Sequence, residues 1–157
     1  MASAEEVWSR ERLLAAARAA AREAYAPYSR FRVGAVVALE TPDGLRIVSG
    51  TNVENASYGL SLCAERAALA AACALMDTGR PDEEGARVVA PPRVTHVAVA
   101  CLDAPDDAPP EERMPCGACR QWLAELAPDA LYYVDGVEGV LRLPDLLPTP
   151  FRLRGNA

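Results

Sequence analysis

Cys63-Ala64-Glu65-Arg66 and Pro115-Cys116-Gly117-Ala118-Cys119 stand about fifty residues apart, each where a loop gives way to a helical pattern. If their three sulfurs are to meet, two helix N-termini must converge on one point, which few arrangements of a short chain allow. Cys116 and Cys119 are one helical turn apart and can point the same way. Cys63 must then reach them from the neighbouring helix. The unpaired amides and positive dipole end of each helix would stabilise thiolates there. Three thiolates beside a carboxylate can hold a zinc ion and leave its fourth position open, the arrangement of a catalytic site rather than a structural one.

Three thiolates on a divalent ion carry a formal charge of about −1, which works against ionising a bound water. Arg66, one turn after Cys63, can donate to the sulfurs and withdraw that charge, and Arg120, beside Cys119, is a second candidate. Glu65 is placed to carry protons.

The 157-residue length suits one domain over 1–157, large enough to fold without disulfide staples. Five cysteines is an odd count, expected to be ligands or buried core in a reducing compartment. A net charge of −6 argues against a grip on nucleic acid or anionic lipid, which needs clustered Lys and Arg. No apolar run reaches the ~18 residues of a membrane span, and Glu5 and Glu6 stand where a leader would be basic, so a cytoplasmic location is expected. A neutral small molecule suits this balance.

Ser3 and Glu6 have capping-box spacing, and the Ala-rich run with Trp8, Leu14, Ala17 and Ala21 predicts a helix ending before Pro27. Phe31, Val33, Ala35, Val37 and Leu39 alternate as in a strand, Pro42-Asp43-Gly44 turns, and Leu45 to Ser49 pairs back. After the polar stretch 51–59, a long Ala/Leu helix is expected from Cys63 to about Asp77, with Gly79 as its stop. Loops over 80–93 and 103–114 flank a buried strand from Val94 to Leu102. Gln121, Trp122, Leu123 and Leu126 carry a third helix up to Pro128. Leu131 to Val134 and Gly139 to Leu143 read as two closing strands. Two strand-helix-strand crossovers predict an α/β fold with a partly parallel sheet and helices on its faces, its first two strands antiparallel.

Each element has a plainer reading. A lone C-x-x-C is often a structural half-site or redox pair, and Cys63 alone would pass for a small buried hydrophobe, as Cys73 and Cys101 are read here. His96 reads as a satisfied histidine in a strand. Asn52 and Glu54, two apart in an extended segment, can face one side, and alone would read as bonding the loop backbone. The co-occurrence of C-A-E and P-C-x-x-C decides the matter.

That pairing is the general signature of zinc deaminases, with cysteine as the first ligand. Ala26-Pro27-Tyr28-Ser29-Arg30-Phe31-Arg32-Val33-Gly34-Ala35, Asn52 to Tyr58, Cys63-Ala64-Glu65-Arg66, Pro115 to Gln121 and Leu146-Leu147-Pro148 resemble the small homotetrameric cytidine deaminases, over nearly the whole chain. The resemblance implies a three-layer fold, a mixed five-stranded sheet with helices on both faces. It implies hydrolysis of cytidine and deoxycytidine to uridine and deoxyuridine with release of ammonia, in pyrimidine salvage. Cys63, Cys116 and Cys119 would bind one zinc per chain, and Glu65 would move protons between water, N3 and the leaving amine. Phe31, Asn52, Glu54, the Ala64 backbone and Phe151 would contact nucleoside, Phe151 in a neighbouring subunit, with Tyr58 near the subunit contact. The loops 80–93 and 103–114 depart from the family in length and proline content, and Thr149-Pro150 precedes Phe151 where a small residue is usual. The competing readings are a structural zinc module, and a related deaminase acting on blasticidin S or on a base in a polynucleotide. Glu65-Arg66, Asn52, Glu54 and Phe151 favour cytidine over the antibiotic, and the acidic surface disfavours a polynucleotide.

Overall fold

A computed structural model describes residues 8–41, 43–75 and 92–153. The Ser3–Glu6 capping box, the Gly79 stop and nearly all of the 80–93 loop lie outside them. The first described helix, α1 (Arg10–Ala21), begins at Ser9, whose hydroxyl accepts from the Arg12 amide at 3.4 Å. It buries Leu13, Leu14, Ala17 and Ala21 on one stripe. Strands β1 (Val33–Thr41) and β2 (Gly44–Thr51) form the expected antiparallel hairpin. Helix α2 (Ala64–Cys73) follows, then β3 (Arg93–Cys101), α3 (Gly117–Leu126), β4 (Leu131–Val134) and the short α4 (Leu143–Leu146).

The sheet order is β2-β1-β3-β4. β3 runs antiparallel to β1 and parallel to β4, so both expected crossovers, through α2 and through α3, are present. β1 is central and buried on both faces, so it lacks a wet side. Val36 and Ala38 pack with Trp8, Leu13, Leu14 and Ala17 of the α1 layer, while Ala35, Val37 and Leu39 pack with Ala68, Leu69 and Leu123 on the opposite side. Helices on both faces of one sheet give three layers.

The sheet has four strands where five were expected. Gly139 to Leu143 makes only a bridge, in which Tyr132 and Leu141 exchange backbone bonds at 2.9 and 3.0 Å. Helix α4 starts at Leu143, with the Asp145 carboxylate bonding the Arg142 amide at 2.7 Å, and Pro144 has no amide to extend a ladder.

Two glycines set the layer spacing. A Cβ at Gly34 would overlap the Ala17 carbonyl, and one at Gly50 would lie 2.6 Å from the Ala64 carbonyl. Only the absence of a side chain lets the first turn of α2 sit directly on β2. That turn carries Glu65.

Candidate metal centre

Cys63 is the N-cap of α2 and Cys116 the N-cap of α3, and neither uses its side chain to cap its own helix. Both sulfurs are therefore aimed away from the backbone they precede. Cys63 Sγ lies 3.8 Å from Cys116 Sγ, which lies 3.4 Å from Cys119 Sγ, and all three fall within 4.8 Å of one another. Sulfurs each about 2.3 Å from one tetrahedral zinc ion stand about 3.8 Å apart, so this donor set fits zinc in spacing and in kind.

Electrostatics point the same way. Hydrogen bonding by the Cys119 thiol, then by Arg66 and the Cys116 thiol, outweighs burial and pulls the Cys63 thiol down to about 5. The bond to Cys63, then burial, pushes Cys119 up. Arg66 Nη2 reaches the Cys63 sulfur at 3.6 Å and the Ser61 carbonyl at 3.3 Å. Its Nε is buried with no partner among the described residues, a spare donor beside the sulfurs. Arg120 does something else: Nε donates to the Pro115 carbonyl at 2.7 Å and Nη1 to the Leu146 carbonyl at 2.8 Å. It braces the segment carrying Cys116 and does not touch the thiolates.

Glu65 is buried, at 5 % exposure, two residues past the α2 N-cap. Desolvation, with the Cys63 charge adding to it, pushes its carboxyl up from the ordinary value. Cys63, Glu65 and Cys116 open onto a cavity of about 650 Å³, whose wall includes Ala64, Phe31 and Tyr58.

Asn52 and Glu54 also line this cavity, with their side chains engaged by backbone. Asn52 Oδ1 accepts from the Val33 amide and Nδ2 donates to the Phe31 carbonyl, both at 2.8 Å. Glu54 accepts from the Tyr28 and Ser29 amides at 2.8 and 3.2 Å and from the Ser29 hydroxyl. These bonds hold Phe31 against the cavity and keep the Glu54 carboxyl low, the Ser29 hydroxyl contributing most. Tyr58 is 76 % exposed and meets Tyr28 edge-on, with ring centroids 6.2 Å apart. Phe151 is 67 % exposed and stands outside this chain's cavity, its backbone held by the Gln121 side chain through two bonds of 3.0 Å.

Sequence reasoning missed the contribution of the 103–114 loop. Glu112, Arg113 and Met114 line the cavity, and so does Cys101, which is buried as expected but sits in the cavity wall. No local pattern marked them; only the closeness of Met114 to Pro115-Cys116 offered a hint. Cys73 is half-buried, and His96 bonds Thr95 at 3.0 Å and stacks on Tyr133, remote from any ligand role.

Fold and site together define a three-layer α/β protein with a three-thiolate zinc centre at two converging helix N-termini and a buried carboxylate beside it. Residues 8–135 match the family described as cytidine and deoxycytidylate deaminase zinc-binding region. A cytidine deaminase of Mycobacterium tuberculosis is 45% identical over 134 residues, 85% of this chain and 83% of that one. One from Halalkalibacterium halodurans is 40% identical over 146 residues, covering 90% and 93%. The crystal structure of cytidine deaminase from Burkholderia pseudomallei matches with a TM-score of 0.66 at 40% identity, over 90% of this chain and 98% of that one. The chain belongs to the cytidine and deoxycytidylate deaminase family, and its cofactor is zinc.

Proposed function

We propose that this protein is a zinc-dependent cytidine deaminase, a hydrolase that converts cytidine to uridine and ammonia. The observation that carries the reading is the meeting of three sulfurs within 4.8 Å, with a buried carboxylate on the adjoining helical turn and a cavity in front of both. Cys63, Cys116 and Cys119 would hold one ion per chain, and zinc with an open fourth position supplies an acidified water at neutral pH.

The chain's own groups do the rest. Water adds its oxygen to C4 of the ring, and Glu65 takes the proton released and delivers it to N3. The proton of the new C4 hydroxyl then passes through Glu65 to the amino group, the C4–N bond breaks, and ammonia leaves. A carboxyl buried from bulk water exchanges protons only with partners in reach, which suits a shuttle. Arg66 draws charge from the Cys63 sulfur. The Ala64 backbone, Phe31, Asn52 and Glu54 form the nucleoside-binding wall. Asn52 and Glu54 retain lone pairs for a sugar hydroxyl beyond those their backbone bonds engage.

Deoxycytidine is a second substrate in this reading, and the role is pyrimidine salvage in the cytoplasm by a single domain over 1–157. No described helix is long and apolar enough to cross a membrane. The assembly is a homotetramer, in which the exposed Phe151 reaches a neighbour's cavity and Tyr58 stands near the contact. Ammonia release from cytidine, deoxycytidine and blasticidin S, with zinc counted per chain, tests the reading. A chain holding one zinc that deaminates none of the three overturns it.

A further inference from the structure

The loop between β3 and α3 carries a buried arginine that the reaction does not use. Arg113 is 7 % exposed and lies three residues before Cys116. Its guanidinium faces carbonyls: Nη1 donates to Asp135 at 3.5 Å and Nη2 to Pro105. Its own carbonyl accepts from the Cys101 thiol at 3.9 Å, and its amide donates to Pro110 at 3.0 Å. Nε is buried with no partner among the described residues.

Burying a guanidinium against neutral carbonyls costs solvation that an apolar side chain would not lose. What the cation adds is a rigid fork of donors joining separate backbone segments. One of those segments is fixed to the sheet, because the Asp135 amide donates to the Val99 carbonyl of β3 at 2.9 Å. The fit is close. Gly136 has φ +77°, and a Cβ on it would lie 2.8 Å from Arg113 Nη1. Downstream, Arg120 grips the Pro115 carbonyl from α3. The peptide delivering Cys116 is thus held at both ends by buried or half-buried arginines whose guanidiniums bond carbonyls and none of the three clustered sulfurs.

We infer that Arg113 is a positioning residue for Cys116: by tying the 113–116 peptide to the Asp135-Gly136 turn, it fixes where the Cys116 sulfur stands relative to those of Cys63 and Cys119, and so how tightly the site holds metal. This rests on the reading of Cys116 as a zinc ligand. Glu112 and Met114, in the cavity wall, are held by the same tie.

The test compares the parent protein with Arg113→Met, Arg113→Lys and Gly136→Ala, read by chelator competition for zinc and by the absorption bands of the cobalt-substituted protein. Arg113→Met should weaken metal binding by about 10–100-fold, the range for groups that orient ligands, and should shift the cobalt-thiolate bands. Gly136→Ala should move both in the same direction while leaving every donor in the sequence. Arg113→Lys, with a charge but no fork, should fall between. Parental metal affinity and cobalt spectrum in the Met and Ala variants, whatever their melting temperatures, would overturn the inference. So would an Arg113→Lys variant that cannot fold, since the residue would then be needed for folding rather than positioning. A parent chain that binds no zinc fails the functional reading first and is separately visible.

Discussion

The Arg66 guanidinium lies 3.6 Å from the Cys63 sulfur, donating to it from one turn further along the same helix. Cys63 and Arg66 are thus a thiolate and its counter-charge, fixed by helical spacing alone. Arg66→Gln should keep its zinc and lose about 10–100-fold in turnover, because thiolate charge left uncompensated opposes ionisation of water. Metal content and kcat measured on one preparation decide it. Unchanged kinetics would count against charge compensation.

Glu65→Ala should likewise retain zinc, since the carboxylate is no part of the sulfur cluster. Turnover should fall by about 10²–10⁴, the usual contribution of a positioned proton carrier. Near-normal turnover with metal bound would rule out the shuttle.

Asn52 bonds the backbone of Phe31 and Val33, so its removal has a structural cost apart from any lost substrate contact. Asn52→Ala should destabilise the fold by about 1–3 kcal/mol, because a half-buried amide and carbonyl lose their partner. Urea unfolding measures this, and a rise in KM measured in parallel would report the nucleoside contact. Parental stability would show that water replaces the side chain freely.

These outcomes bear on how the sequence can be read. The meeting of Cys63 with Cys116 and Cys119 was legible, because helix-start patterns and one-turn spacing leave few ways for sulfurs to converge. The hairpin and both crossovers were legible from periodicity. The fifth strand was not, because Leu143 satisfies both a strand pattern and a helix start, and the Asp145 bond to the Arg142 amide settles the choice in space. Arg120, the second candidate for the sulfurs, bonds the Pro115 and Leu146 carbonyls instead, because proximity in sequence says nothing about which carbonyl a long side chain reaches. Arg113 and Cys101 went unnoticed as cavity residues because their environment is made by Pro105, Asp135 and Gly136, distant along the chain or across a turn.

Hydrogen bonds donated by Arg32, first from its side chain and then from its backbone amide, hold the Asp103 carboxyl down to about 2 from an ordinary 3.8. An acid depressed on folding contributes stability above its unfolded value and loses it as pH falls through its folded one. Asp103→Asn should therefore melt below the parent at neutral pH, with the gap narrowing as pH falls from about 3.8 to about 2. Both side chains are open to solvent, so the gap should be small and should shrink with added salt. A gap that widens on acidification would contradict the assignment.

Stripping zinc with a chelator should lower the melting temperature, with restoration on adding the ion back. Metal at about 100 times its dissociation constant adds about 2.7 kcal/mol to a fold that alone binds it. Calorimetry with and without chelator checks this; identical transitions would mean that the sulfurs do not hold the ion.

Cys63 and Cys116 occupy the positions where a serine or aspartate would ordinarily cap the start of the helix, and their sulfurs face each other instead. Initiation of α2 and α3 is consequently thermodynamically linked to loading of the centre. Newly made polypeptide short of the ion would fray first at the very turns that bear Glu65 and Cys119, exposing cleavable backbone there. Cellular abundance of the protein would then follow supply of its ion, with proteolysis removing the copies that could not work.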